Sequence, residues 1–192
     1  MLKKLYDWVM ELADHPKALW ILAVMSFAES SFFPIPPDVL LIPMVLAAPT
    51  RAWRIAMVCS VSSVFGGLFG YVIGAYFFDV VGQPIVDFYH LQSGFERFTA
   101  LYNEFGAIIV AVAGFSPIPY KVFTIASGVT NLDLTTFIVS SAVSRSARFF
   151  LVAALLWKYG SPIREFIENH LAKLTLLFCI LLVGMFVMLK YI

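Results

Sequence analysis

Five ionisable side chains, Glu29, Asp38, Lys121, Arg145 and Arg148, stand in stretches that are otherwise apolar. Even lenient insertion scales charge about 2.5–3.5 kcal/mol for an Arg, Lys or Asp at the centre of a membrane span, so such groups usually mark ion or substrate paths. A carboxylic acid can take up and release a proton, and a guanidinium suits bidentate contact with phosphate. Glu29 and Asp38 are therefore candidate proton-coupling groups, and Lys121, Arg145 and Arg148 candidate ligands for an anionic phosphate. Arg145 and Arg148 are three apart, on one helical face, and are expected to project toward one interior cavity. The alternative is that the five charges only neutralise one another and hold the fold in register.

The composition says what must carry these groups. Of 192 residues, 61% are hydrophobic and 13% charged, about half the charge of an ordinary soluble domain. Thirteen Lys plus Arg against twelve Asp plus Glu leave a net charge of +1, which excludes a basic nucleic-acid binder as the default. At about 20 apolar residues per crossing, the length holds a handful of spans. The expectation is one all-α integral membrane domain over 1–192.

Proline sets the breaks. The first apolar run, from Leu19, meets Phe32-Phe33-Pro34-Ile35-Pro36-Pro37-Asp38, and the second, Ala107 to Gly128, meets Phe115-Ser116-Pro117-Ile118-Pro119-Tyr120-Lys121. Such a density of prolines cannot lie inside a continuous helix. The flanking limbs are too short to cross a hydrocarbon core of about 30 Å, so each run reads as a re-entrant hairpin with Pro34, Pro36 and Pro37, or Pro117 and Pro119, at its tip. Ile55–Phe78 and Leu134–Trp157 read as spanning helices, and Leu171–Leu189 as a final span. Gly66, Gly70 and Gly74 give the first of these a small-residue face for close packing. Leu5, Trp8, Val9 and Leu12 predict an amphipathic interfacial helix over 1–15, and the acids among them argue against a cleaved signal peptide. Phe95, Phe98, Tyr102 and Phe105 predict another within the more polar connector 81–104.

The two halves repeat. Shifting by 83 positions carries Phe32 onto Phe115, Pro34 onto Pro117, Ile35 onto Ile118, Pro36 onto Pro119, Val39 onto Val122 and Ile42 onto Ile125. The repeats then run 19–80 and 105–159, with the terminal helix at 170–192. One spanning helix lies between the hairpins, so the second must enter from the opposite side, as in inverted-repeat transporters. Asp38 and Lys121 fall on equivalent positions with opposite charge, which predicts a contact between the two hairpins. Eight bases (Lys3, Lys4, Lys17, Arg51, Arg54, Lys158, Arg164, Lys173) on the N-terminal side face Arg97 and Lys190 opposite. The positive-inside rule puts the N-terminus in the cytoplasm.

Signatures of enzyme chemistry are missing: there is no phosphate-cradling loop, paired-histidine motif, cysteine cluster or nucleophile elbow. Cys59 and Cys179 read as packing residues, and His15, His90 and His170 lie near expected interfaces away from any ligand partner. No enzyme activity, metal or cofactor is expected.

Glu29 with the proline tip ending at Asp38, together with a second Phe-x-Pro tip carrying a base, resembles the DedA family of bacterial membrane proteins. That family shares the VTT, or SNARE-associated, domain with eukaryotic lipid scramblases. The resemblance covers roughly Leu19 to Tyr159, and Phe-Ser-Pro-Ile-Pro-Tyr-Lys-Val is most similar to its YqaA-like branch. It implies opposed re-entrant hairpins that move phospholipid or undecaprenyl phosphate across the inner membrane. It also implies dependence on proton-motive force through two acids at the first tip and two arginines at the second. Glu29 and Asp38 match the acids. At the second tip Gly114 stands where the family has its first arginine and Lys121 where it has its second, and Arg145 and Arg148 are candidates to supply that charge from the following helix.

The leading expectation is a flippase or scramblase of the bacterial inner membrane whose partners are membrane lipids, with no nucleic-acid partner and homo-oligomerisation left open. Its rivals are a proton-coupled antiporter of small ions or cationic drugs and a structural membrane protein without transport.

Overall fold

The computed structural model describes residues 17–33, 35–90, 92–116, 119–160 and 162, the side chains at 79 and 85 excepted. The expected interfacial helix over 1–15, the final span 171–189 and the tip residues Pro34 and Pro117 lie outside the described residues. The described residues form helices joined by short turns and tips, without a strand.

Helix α1 (Ala18–Ser31) and helix α2 (Asp38–Ala47) form the limbs of the first hairpin. At 1.5 Å per residue they rise about 21 Å and 15 Å, both short of a hydrocarbon core. Pro37 is the N-cap of α2 and its carbonyl accepts from Leu40 and Leu41 N–H, so the last proline of the tip starts the second limb, its fixed φ already suited to a helix. After a short 3₁₀ turn at Pro49–Arg51, helix α3 (Ala52–Phe77) runs on through a π turn (Phe78–Gly82) into helix α4 (Gln83–Phe88). The long helix therefore does not stop near Asp79; it widens by one π turn and ends at Tyr89-His90, where His90 takes a φ of 54°.

Helix α5 (Gln92–Phe115) differs from expectation. The interfacial helix expected within 81–104 and the first limb of the second hairpin are one continuous helix of 24 residues. It is long and apolar enough to cross a membrane. Between Gln92 and Phe115 the chain has no proline, and the stripe of Phe98, Tyr102 and Phe105 runs on in register with Ile109, so the polar composition changes the surface without breaking the helix. Helix α6 (Tyr120–Val129) follows, then a tight turn in which Asn131 takes a φ of 49°, a conformation asparagine tolerates better than most residues. Asp133 Oδ2 accepts the Thr136 N–H at 2.7 Å and so caps helix α7 (Leu134–Gly160).

The repeat is built into the backbone. A shift of 83 positions carries the C-terminal end of α1 onto that of α5, α2 onto α6 and α3 onto α7, each bound agreeing to within one residue. The packing is reciprocal: α3 lies against α1 and α6, while α7 takes Leu40, Leu41 and Val45 of α2 against Phe149 and Ala153, and Tyr102 and Val110 of α5 near Phe137. Each long helix thus grips one limb from each hairpin.

The glycine face of α3 makes that grip possible. A Cβ at Gly66 would overlap the Phe27 backbone of α1, and one at Gly74 the Ile125 backbone of α6; Gly128 of α6 meets the Tyr71 backbone in return. Serine and threonine hydroxyls seal the same contacts: Ser26 donates to Cys59 O at 2.7 Å, Ser31 to Gly66 O at 2.8 Å and Thr124 to Ser30 O at 3.0 Å. Small residues and interhelical hydroxyl bonds replace the hydrophobic effect where the surrounding solvent is itself apolar. Cys59, wholly buried in this contact, is a packing residue as expected.

Candidate functional site

Four of the five apolar-stretch charges meet as two ion pairs. Glu29, in the last turn of α1, accepts from Arg145 Nη2 at 3.0 Å; Asp38, the first residue of α2, accepts from Arg148 Nη2 at 2.7 Å. Both acids belong to the first hairpin and both bases to α7.

Arg145 sits in a closed ring. Its Nε donates to Ser63 Oγ at 2.5 Å, Ser63 is bonded to Ser30 Oγ at 2.7 Å, and Ser30 donates to Glu29 Oε2 at 3.1 Å, which also receives Arg145 Nη2. Because Ser63 accepts from the guanidinium and Ser30 donates to the carboxylate, the Ser63 hydroxyl proton points to Ser30. The guanidinium carbon also lies 4.8 Å from the Tyr120 ring centre and 4.6 Å from that of Phe149, a stacking that arginine's planar, weakly hydrated charge allows. Tyr120 is in turn fixed by its hydroxyl bond to Ser141. Arg145 itself is 3% exposed.

Arg148 is held differently. Its Nη1 donates to Ser116 O at 2.8 Å and Phe115 O at 3.4 Å, at the C-terminal end of α5, while Nη2 holds Asp38. Arg145 Nη1 likewise points to Gly114 O at 3.5 Å. Each arginine therefore joins an acid of the first hairpin to the unpaired carbonyl end of the second. The last carbonyls of a helix carry its negative pole and lack intrahelical partners, so a cation there is favoured. The same rule places Asp38 in the first turn of α2, at the positive pole.

Lys121, in the first turn of α6, donates to Phe33 O at 3.2 Å, beyond the C-terminal end of α1. The contact expected between Asp38 and Lys121 is thus replaced: the two hairpins do touch through Lys121, but at a backbone carbonyl, and the ionic partner of Asp38 is Arg148. Equivalence under a twofold brings residues together only on the axis, and Asp38 is drawn to the guanidinium of α7 instead. Of the tip prolines, Pro36 accepts from Val39 N–H, and Pro37 and Pro119 are the N-caps of α2 and α6.

Arg145 and Arg148 do share a face of α7, but they do not line a common open cavity: Arg145 is enclosed while the Arg148 side chain is 21% exposed. A cavity of about 180 Å³ lies elsewhere, between Leu46, Pro49, Trp157 and Lys158 at the far end of α2 from Asp38. The sequence reading missed Ser30, Ser63 and Tyr120 as parts of the site. Ser30 was visible beside Glu29, but its role depends on Ser63, brought across by α3.

Opposed proline-broken hairpins gripped by two long apolar helices, with acids and arginines paired where they meet, define a helical membrane protein of repeat construction. Residues 35–158 match the VTT domain, and the chain belongs to that family, the DedA family of membrane proteins. An uncharacterized protein of Haemophilus influenzae is 42% identical over 168 residues, covering 85% of this chain and 87% of that one. An uncharacterized protein of Histophilus somni matches to the same extent. No solved structure matches.

Proposed function

We propose that the protein is a lipid flippase or scramblase moving phospholipid or undecaprenyl phosphate across the bacterial inner membrane, its N-terminus cytoplasmic. The observation that carries this reading is the bridging of both hairpins by two arginines whose charges are held by Glu29 and Asp38. Lys121 adds a third base at the tips. In a phosphate-moving cycle an arginine of this bridge exchanges its carboxylate partner for the head group, while the acyl or prenyl chain stays in lipid. Protonation of Glu29 or Asp38 removes the competing charge and so favours release of the base, which gives the proton gradient a handle on the exchange. The repeats then rock against one another to expose the tips to either side. Nothing in this cycle makes or breaks a bond in the substrate, which is the mark of a transporter and not of an enzyme.

Reconstituted vesicles with labelled phospholipid and labelled polyprenyl phosphate test this directly. Faster flipping of either lipid than in empty vesicles is expected, together with a large loss in Arg145→Ala/Arg148→Ala. Equal rates in the wild type and the double variant would overturn the proposal. Imposing a pH gradient is expected to change net flux in the wild type and not in Asp38→Asn.

A further inference from the structure

The two arginines differ in how much of the guanidinium is used. Nε and Nη2 form one edge of the group, able to grip two oxygens of an oxyanion at once. In Arg145 that edge is filled, Nε by Ser63 and Nη2 by Glu29. In Arg148 only Nη2 is engaged, by a single oxygen of Asp38, and the buried Nε has no hydrogen-bond partner among the described residues. Buried donors without an acceptor are uncommon and call for an explanation. The Arg148–Asp38 pair is also the more open one, 21% exposed on both sides against 4% and 13% for Arg145 and Glu29. Meanwhile Nη1 of Arg148 stays tied to Ser116 O, which fixes the guanidinium while its other edge is free to change partner.

Resting on the reading that a phosphate-bearing lipid is moved, we infer that Asp38 is a placeholder on Arg148. A phosphate group exchanges with the Asp38 carboxylate and takes Nε and Nη2 together through two of its oxygens. Arg145 remains in its ring and is a positioning residue that holds α1 and α7 in register. The two arginines therefore do not share the head group: Arg148 binds it and Arg145 does not. The recognised chemistry is a phosphate with at least two unesterified oxygens, common to a phospholipid, a polyprenyl phosphate and free inorganic phosphate.

Phenylglyoxal labelling of the full chain in maltoside micelles, read separately at Arg148 and Arg145 by peptide mass spectrometry, tests this without relying on transport. Arg148 is expected to label faster, and phosphatidylglycerol or polyprenyl phosphate to protect it while leaving Arg145 unchanged. An arm with inorganic phosphate separates the sources: protection by lipid alone assigns a head-group site, and equal protection by the free ion assigns a phosphate site open to water. Asp38→Asn, which keeps the shape and removes the competing charge, is expected to lower the half-protecting lipid concentration by about ten-fold, the size of one charge-assisted hydrogen bond. Equal labelling of the two arginines, equal protection of both, or unchanged or weaker protection in Asp38→Asn would overturn the inference. Selective protection of Arg148 without flipping in vesicles would sink the transport reading and leave this one standing, and flipping without selective protection would do the reverse.

Discussion

The two hairpins have one skeleton and opposite charge. Each has a first limb closed by a Phe (Phe32 caps α1 and Phe115 ends α5), a proline tip, and a second limb of ten residues, yet the first carries Glu29 and Asp38 where the second carries Val112 and Lys121. The long helices differ in the same way: Arg145 and Arg148 of α7 correspond to Ser62 and Phe65 of α3. A repeat that kept its charges as well as its backbone would set acid against acid and base against base where the tips meet, each without a counter-charge in a medium that punishes lone ions. Dividing the signs between the halves lets four of the five costly groups find a counter-charge. It also makes the two ends of the site unequal, so that one pair can be a fixed joint and the other an exchangeable one.

The largest effect is expected from removing one side of the enclosed pair. Arg145→Met leaves Glu29 buried beside two serines with no counter-charge, and a loss of about 3–5 kcal/mol is expected, read as thermal unfolding in detergent. Glu29→Gln/Arg145→Met should recover much of that loss, and a double variant no more stable than the Arg145→Met single would show that the ring, not the charge, carries the stability. Next come the grips of α3 on each hairpin. Gly66→Val and Gly74→Val are each expected to cost about 1–3 kcal/mol by overpacking, the first loosening α1 and the second α6, and a large cost at only one would mean that the hairpins are not held alike.

A smaller effect is expected at the open pair. Asp38→Asn should change stability by about 1 kcal/mol or less, as a partly exposed ion pair does, while strongly altering flux. The charge exchange Asp38→Lys/Lys121→Asp should not restore flux, because Asp38 answers to Arg148 and not to Lys121; full activity in that double variant would break the assignment. Smallest of all is the cap of α7. The Thr136 backbone N–H and side chain hold the Asp133 carboxyl below its usual value. A depressed carboxylate lends stability above its unfolded pKa, near 3.9, and loses it as pH falls through the folded value. Asp133→Asn should therefore lower stability slightly in the neutral range, flatten the fall with acid, and leave stability below the folded pKa almost unchanged.

Much of this fold was legible because proline acts locally: Pro37 and Pro119 fix where limbs begin whatever surrounds them, and the 83-residue shift carries that information from one half to the other. The length of α5 was not legible, since the polar residues from Gln92 to Glu104 imitate a surface connector while leaving the helix unbroken. Within the site, residue types pointed to Glu29, Asp38, Arg145 and Arg148, but their pairing was hidden. It depends on how α7 docks against both hairpins, a long-range fact that equivalent positions in a repeat do not report. Ser63 was illegible for the same reason, because a serine on an apolar helix gains its meaning only from what it touches.

The two guanidinium groups of α7 also have a mechanical consequence. Each has one hand on the first hairpin and another on the end of α5, so either hairpin can leave α7 only by breaking a bond at both arginines. The assembly works as a clasp with two pins on one bar: a leaf comes free only when both pins let go of it, and one pin can open while the other keeps the leaf in line.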